Sequence, residues 1–257
     1  MKKIIIKVGT SSLTQGTNQL SKRTMIGLVQ QMAALRNRGI ELILVSSGAV
    51  ATGRELFQPS KMGPSQFCKQ IFASIGQVKL MQVWTELFSL YDLHVGQILL
   101  TKEDFSESKR SSTEQTIACL LDHGIIPIIN ENDVVFSQEA RIGDNDNLSA
   151  LVAELTGADT LVLLTDQEGL YTTNPRKGSD AKLIPVVDCI DDQIVAIAGG
   201  SSSALGTGGM ATKIEAARLA SKSLIKTIIA SSSRPNVLIE LADGKQVGTV
   251  FLNQREE

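Results

Sequence analysis

The sequence predicts an α/β fold built on a mostly parallel sheet. Short runs of branched apolar residues alternate with segments of helical spacing from one end to the other. Most of those runs end in a cluster of small, acidic or amide residues, as strands do when they feed a crevice. No internal repeat and no low-complexity linker interrupts the alternation.

Ile4–Val8 is the first strand, and Gly9-Thr10-Ser11-Ser12 reads as a small-residue turn after it. Ser21 caps a helix whose Met25, Leu28, Val29, Met32 and Leu35 share a face, and Gly39 ends it. Glu41–Val45 is a second buried strand. It runs into Ser46-Ser47-Gly48-Ala49-Val50, where a helix starts and can hold an anion. Gln58–Gln66 reads as a loop. Gln70–Asp92 is the longest helical segment, apolar over so much of its girth that it belongs in the core or at a subunit interface. Val95–Leu100 is a strand, Thr113–Asp122 lies in a helix, and Ile125–Ile129 is a strand ending in Asn130-Glu131-Asn132-Asp133. In Gly143–Ser149, two acids and two amides precede a helix of Leu148, Leu151, Val152 and Leu155 that Gly157 stops. That is more polar groups than capping requires, and the spacing is not that of an EF-hand loop. Thr160–Leu164 is a fifth strand ending in Thr165-Asp166, followed by a turn-rich stretch through Gly178. Gly206–Gly209 reads as a loop, helical spacing resumes at Met210, and Thr227–Ala230 and Val247–Leu252 close the sheet.

Composition removes several classes of function. A chain of 257 residues, 42% hydrophobic and 20% charged, can bury a sizeable core as a soluble globular protein. A net charge of −2 gives no basic footprint for nucleic acid. Cys68, Cys119 and Cys189 form no CxxC pair, which points to a reducing compartment rather than disulfides or zinc. The N-terminal apolar run is too short for a signal peptide and no segment has the length of a membrane span, so a cytoplasmic protein without membrane contact is expected. His94 and His123, the two histidines, sit beside strand starts and read as structural.

Lys7, Ser47, Asn130–Asp133 and Thr165-Asp166 all fall at strand C-terminal ends, where open α/β sheets bind ligands. Lys7 reads either as a lysine snorkelling from a strand edge or as a cation aimed into the crevice. Lysines with glycine-rich turns suit phosphate. Gly206–Lys213 nevertheless fails the P-loop spacing, and no Rossmann fingerprint is present.

KVGTSSLT from Lys7, VSSGAVATGR from Val45, KQIFASIGQ from Lys69, VGQILLT from Val95, INENDVV from Ile129, IGDNDNLSA from Ile142, LLTDQEGLYTTNP from Leu163 and GTGGMATK from Gly206 stand in that order. Together they resemble the amino-acid kinase family over nearly the whole chain, and within it the branch that phosphorylates glutamate. The resemblance implies a three-layer α/β/α sandwich with a mostly parallel central sheet. It implies one kinase domain over residues 1–257, without the additional C-terminal PUA-like domain of the RNA-modification type that many such kinases carry. It implies ATP-dependent phosphorylation of the L-glutamate side-chain carboxylate to L-glutamyl 5-phosphate, the first step toward proline.

On that resemblance Lys7, Lys213 and Asp146 are catalytic: the lysines stabilise the transferring phosphoryl group and Asp146 holds them. Ser47, Gly48, Ala49, Asp133 and Asn145 bind glutamate. Lys7, Gly9, Thr165, Asp166 and the run Thr207, Gly208, Gly209, Met210, Ala211, Thr212 and Lys213 bind ATP. Mg²⁺ accompanies ATP on phosphate oxygens and water, with no protein metal site and no prosthetic group. L-proline is an expected feedback inhibitor, and a homodimer or homotetramer is expected. The rival readings are another acceptor on the same fold (N-acetylglutamate, aspartate, carbamate or UMP), an inactive amino-acid sensor, and a dinucleotide-binding oxidoreductase.

Overall fold

The computed structural model of this chain describes residues 1–17, 19–57, 68–135, 139, 141–175, 181–199 and 209–252. Among these residues, eight strands form one sheet in the order β3-β4-β2-β1-β5-β7-β8-β6. They are β1 (Lys3–Val8), β2 (Glu41–Ser46), β3 (Val95–Leu100), β4 (Ile126–Glu131), β5 (Thr160–Thr165), β6 (Val186–Val187), β7 (Lys226–Ser231) and β8 (Thr249–Phe251). All neighbours pair in parallel except β7 with β8.

Nine α-helices among the described residues cover the two faces: α1 (Thr10–Thr14), α2 (Lys22–Asn37), α3 (Ala49–Leu56), α4 (Cys68–Ser89), α5 (Arg110–Asp122), α6 (Asn145–Thr156), α7 (Asp192–Gly199), α8 (Met210–Lys222) and α9 (Val237–Ala242). Two separate hydrophobic cores result. Ile4, Ile6 and Val8 of β1 pack with α2, α4 and α9, while Ile5 packs with α5, α6 and α8. The strand period of two therefore sends Lys7, next but one to Ile5, toward the α6/α8 face. That is the three-layer sandwich the family resemblance implied.

Local signals explain the boundaries. Ser21 accepts the Thr24 N–H at the head of α2, and Asp144 accepts the Asn147 N–H at the head of α6. Gly157 takes φ +60° at the C-terminus of α6, where a side chain would be strained. Pro127 stands inside β4 with strands on both sides. Its neighbour Ile126 donates to the His94 carbonyl on the β3 side, so Pro127 faces β2, and pairing with β2 begins only at Ile128. No ladder bond is lost there.

The structure corrects several sequence expectations. The turn expected at Gly9–Ser12 is a single helical turn, with the Leu13 N–H on the Gly9 carbonyl. The last strand begins at Thr249 rather than Val247, because Gly248 turns at φ +69° against the Ile229 carbonyl. β6, α7 and α9 were not anticipated; the first is two residues and the others are one to two turns, too short for a periodic signal. The Gln58–Gln66 loop and most of Gly206–Gly209 lie outside the described residues.

α4 is more one-sided than its composition suggested. Phe72, Leu80, Val83, Trp84 and Phe88 are buried, whereas Val78 is 73% exposed. Gly53 of α3 and Gly76 of α4 lie where the two helices touch: a Cβ on Gly76 would overlap the Ala49 carbonyl, and one on Gly53 the Phe72 carbonyl. Those glycines allow α4 to lie against the helix that opens at Gly48-Ala49.

Candidate active site

Parallel β1, β2, β4 and β5 end at Val8, Ser46, Glu131 and Thr165 along one edge of the sheet. Asp146, in the first turn of α6, is fully buried above that edge. Its Oδ1 lies 2.6 Å from Lys7 Nζ, an ion pair off the axis of a directed hydrogen bond. Its Oδ2 lies 3.2 Å from Lys213 Nζ and accepts from Thr212 Oγ1 at 2.7 Å. Lys7 and Lys213 are 4% and 5% exposed, so the snorkelling reading of Lys7 fails. Two buried ammonium groups share one carboxylate, and the cluster carries one surplus positive charge.

Burial pushes the Asp146 carboxyl up, but Lys7 and Lys213 together outweigh it and hold the group at about 2. Burial pushes Lys213 below the ordinary lysine value, and the Lys7 charge adds to this, against the pull of Asp146. Asp144 is raised by burial and by the Asp146 charge, against its hydrogen bonds from Asn147 and the Lys7 charge. Asp144 is thus spent on the helix cap, also taking the Asn147 side-chain amide at 2.8 Å.

Beside the lysine cluster opens a cavity of about 340 Å³. Ser47, Gly48 and Ala49 form one wall, where the first N–H groups of α3 have no intrahelical acceptor. Asn130, Asp133 and Asn145 form another, and Arg54 and Lys69 complete it. Lys69 Nζ pairs with Asp133 Oδ1 at 2.8 Å. Asn145 Nδ2 donates to Ser47 Oγ at 2.9 Å and to Asn130 Oδ1 at 2.8 Å. The five residues expected to bind an acceptor therefore line one cavity. Its charges of both signs suit a small zwitterion.

Thr165 and Asp166 lie at the end of β5, where Thr165 Oγ1 donates to Asp166 Oδ1 at 3.1 Å. Ser232 after β7 closes on them, its N–H and hydroxyl both donating to the Thr165 carbonyl, at 2.8 and 3.1 Å. Gly9 lies against Lys7, since a Cβ there would come 3.4 Å from Nζ. Gly209 caps α8, and Met210, Ala211, Thr212 and Lys213 form its first turn. Thr207 and Gly208 lie outside the described residues. Thr212, expected among the nucleotide ligands, is also the third partner of Asp146.

Sequence reasoning placed Glu131 in a strand-end cluster but gave it no role of its own. Its buried Oε1 accepts the N–H groups of Ile142 and Gly143, at 2.7 and 3.1 Å, and straps the loop that delivers Asp144, Asn145 and Asp146. The acid/amide cluster at the end of β4 was the available signal. Gln77 of α4 closes the KQIFASIGQ motif but was given no role; its Oε1 accepts from Asn130 Nδ2 at 3.0 Å.

The chain matches the model of the "Amino acid kinase family" over residues 2–231. It is 50% identical to a glutamate 5-kinase of Pasteurella multocida (strain Pm70) over 256 residues, 99% of this chain and 70% of that protein. It is 49% identical to a glutamate 5-kinase of Haemophilus influenzae (strain PittGG) over 257 residues, 100% of this chain and 70% of the relative. The crystal structure of a UMP kinase from Bacillus anthracis superposes with a TM-score of 0.69 at 14% identity, covering 99% of this chain and 97% of that one, a likeness of fold alone.

Proposed function

The chain belongs to the amino-acid kinase family, and on that premise we propose that it transfers the γ-phosphoryl group of ATP to the side-chain carboxylate of L-glutamate. The product is L-glutamyl 5-phosphate, and the reaction opens proline biosynthesis. The observation that carries this reading is the buried Lys7–Asp146–Lys213 cluster beside an acceptor-sized cavity.

A side-chain carboxylate has an ordinary pKa of about 4.3 and is already an ionised nucleophile at neutral pH. One carboxylate oxygen attacks the γ-phosphorus, the bond to the β-phosphate oxygen breaks, and ADP leaves with that electron pair. No proton need move, which suits a site built from lysines and amides. The barrier is the approach of two anions, and fixed cations lower it. Lys7 and Lys213 act on the transferring group, with Asp146 setting their positions. Ser47, Gly48, Ala49, Asp133 and Asn145 hold glutamate. Gly9, Thr165, Asp166 and the stretch from Thr207 to Lys213 hold the nucleotide. Mg²⁺ enters as part of the nucleotide substrate, on phosphate oxygens and water.

L-proline offers the same α-carboxylate and a cationic nitrogen, so the same cavity is the site for feedback inhibition. The exposed Val78, with half-buried Ile71 and Ile75 on the same side of α4, supports a homodimer or homotetramer through that face; a monomer by light scattering at micromolar concentration would rule it out. One sheet with a core on each face supports a single kinase domain. Among the described residues no helix is long and apolar enough to cross a membrane, in keeping with a cytoplasmic enzyme.

The test is an ADP-release assay with hydroxylamine to trap the acyl phosphate. Glutamate gives hydroxamate and ADP together. Turnover on N-acetylglutamate, aspartate or UMP in its place would overturn the acceptor, and binding without ADP release on any acceptor would favour a sensor.

A further inference from the structure

Gln77 and Trp84 lie on α4, neither lines the cavity, and neither was assigned a part in binding or catalysis above. Both are buried and both end in a hydrogen-bond chain that reaches Ser47. The direction of each bond in that chain is fixed by groups that can act in one way only.

The Glu131 backbone N–H donates to Asn130 Oδ1 at 2.9 Å. Since a backbone N–H can only donate, the oxygen of the Asn130 amide is identified, and its nitrogen faces Gln77. Gln77 must then present its oxygen, which accepts at 3.0 Å, and its own Nε2 is buried without a partner among the described residues. That orientation gives the buried Asn130 nitrogen its acceptor at the cost of an unpaired donor on Gln77. Asn145 meets the Asn130 oxygen with its nitrogen and spends its second N–H on Ser47 Oγ, at 2.9 Å.

On the other side, the Trp84 indole N–H, a donor only, gives its proton to Ser46 Oγ at 3.0 Å. The Ser46 hydroxyl then donates to the Ser47 carbonyl at 3.0 Å. The Ser47 N–H is taken by the Val8 carbonyl at 3.1 Å. The Ser47 N–H, carbonyl and one hydroxyl lone pair are thus engaged, and the hydroxyl proton is the group left for the cavity.

We propose that Gln77 is a positioning residue that fixes Ser47 as a hydrogen-bond donor toward a carboxylate of the acceptor, acting through Asn130 and Asn145. If Gln77 lost its acceptor oxygen, the Asn130 amide nitrogen would lose its partner. The Asn130 amide would then be held on its oxygen side alone, by the Glu131 and Asn145 N–H groups, and a turn of the Asn130 and Asn145 amides would let Ser47 spend its proton inside the protein. The inference rests on the glutamate kinase reading for the identity of the acceptor.

The test is a double-mutant cycle between Gln77→Met, which keeps the side-chain volume without the amide, and Ser47→Ala. It is read by glutamate KM and by calorimetric glutamate Kd. Gln77→Met is expected to raise both by about three- to tenfold, the weight of one neutral hydrogen bond, with the ATP KM unchanged. On the Ser47→Ala background the same change should do much less, because the Ser47 route to the ligand is gone and only the direct contacts of Asn130 and Asn145 remain. Gln77→Glu should stay within twofold of the parent, since burial favours the neutral acid, which keeps an acceptor oxygen. Additive effects in the cycle, an unaltered Kd in folded Gln77→Met, or a large rise in Gln77→Glu would each overturn the proposal. Should Gln77→Met fail to fold, the Gln77→Glu comparison still decides. A parent protein that binds glutamate without turning it over would count against the proposed reaction and leave the cycle readable from Kd.

Discussion

Replacing Asp146 by Asn removes one buried negative charge and leaves two buried ammonium groups facing each other. At separations of 2.6 and 3.2 Å the lost attractions are about 6 and about 5 kcal/mol at an effective dielectric of about 20. Relief of the carboxylate's own desolvation returns several kcal/mol of this, and breaking such a buried cluster typically costs a net 3–5 kcal/mol, roughly. Denaturant unfolding of Asp146→Asn at pH 7 should show a loss of about that size. The loss has a pH window. A carboxyl held at about 2 when folded, against 3.8 as its ordinary value, contributes stability that is fully present above 3.8 and disappears as pH falls through about 2. The gap between the variant and the parent therefore narrows over that interval.

Turnover has a second signature. Asp146, with a smaller contribution from Asp166, opposes the depression of Lys213 by burial and by Lys7. Without it the lysine pKa falls further, and one ammonium gives up its proton nearer to neutrality. Losing one fixed cation lowers kcat by about 10²–10³. Because the charged form is the active one, activity is lost as pH rises through the lowered pKa. Asp146→Asn should move that alkaline limb to lower pH and recover activity on acidification. A steady-state pH profile checks this. A near-normal kcat with the parent's alkaline limb, or a glutamate KM that rises more than kcat falls, would refute the reasoning.

Lys7→Ala and Lys213→Ala should each reduce kcat by at least about 10²-fold in folded protein; near-normal turnover in coupled ADP release would take that lysine out of the mechanism. Asn145→Ala should act mainly on glutamate KM, because its amide braces Ser47 and lines the cavity, and initial-rate kinetics at saturating ATP separate KM from kcat. Gly76→Ala should weaken glutamate binding or unfold the α3/α4 contact, since its Cβ has no room beside the Ala49 carbonyl; unchanged KM and melting temperature would show that α4 can shift without disturbing the cavity. Glu131→Ala should loosen the loop carrying Asn145 and Asp146 and lower kcat and raise KM together, whereas Glu131→Gln keeps an acceptor oxygen for the two backbone N–H groups and should recover much of both.

Much of this protein was legible in its sequence because local signals carried it. The buried strands announce themselves as runs such as Ile4-Ile5-Ile6, and Ser21, Gly39, Asp144 and Gly157 end helices by chemistry that acts within a few residues. Lys7, Asp146 and Lys213 could be named because they stand in ordered motifs beside strand and helix ends. The surplus of polar groups in Gly143–Asn147 was also visible in sequence, and in the structure Asp144 serves the cap with Asn147 while Asp146 faces the lysines.

Only the tertiary structure decided how far each group is committed. Lys7 becomes a buried partner of Asp146 rather than a snorkelling lysine because β1 is paired on both sides and α6 and α8 close over its face. Thr212 and Glu131 gain their contacts across separations of 66 and 11 residues, which no local pattern encodes. The same holds for the chain from Gln77 through Asn130 and Asn145 to Ser47: motifs mark the residues, but the direction of the bonds exists only once their segments meet. Sequence sets which groups stand at the ends of strands and helices, since propensity and capping are short-range. Packing sets which of those groups are spent on one another and which are left for a ligand, since burial and hydrogen-bond partners are not.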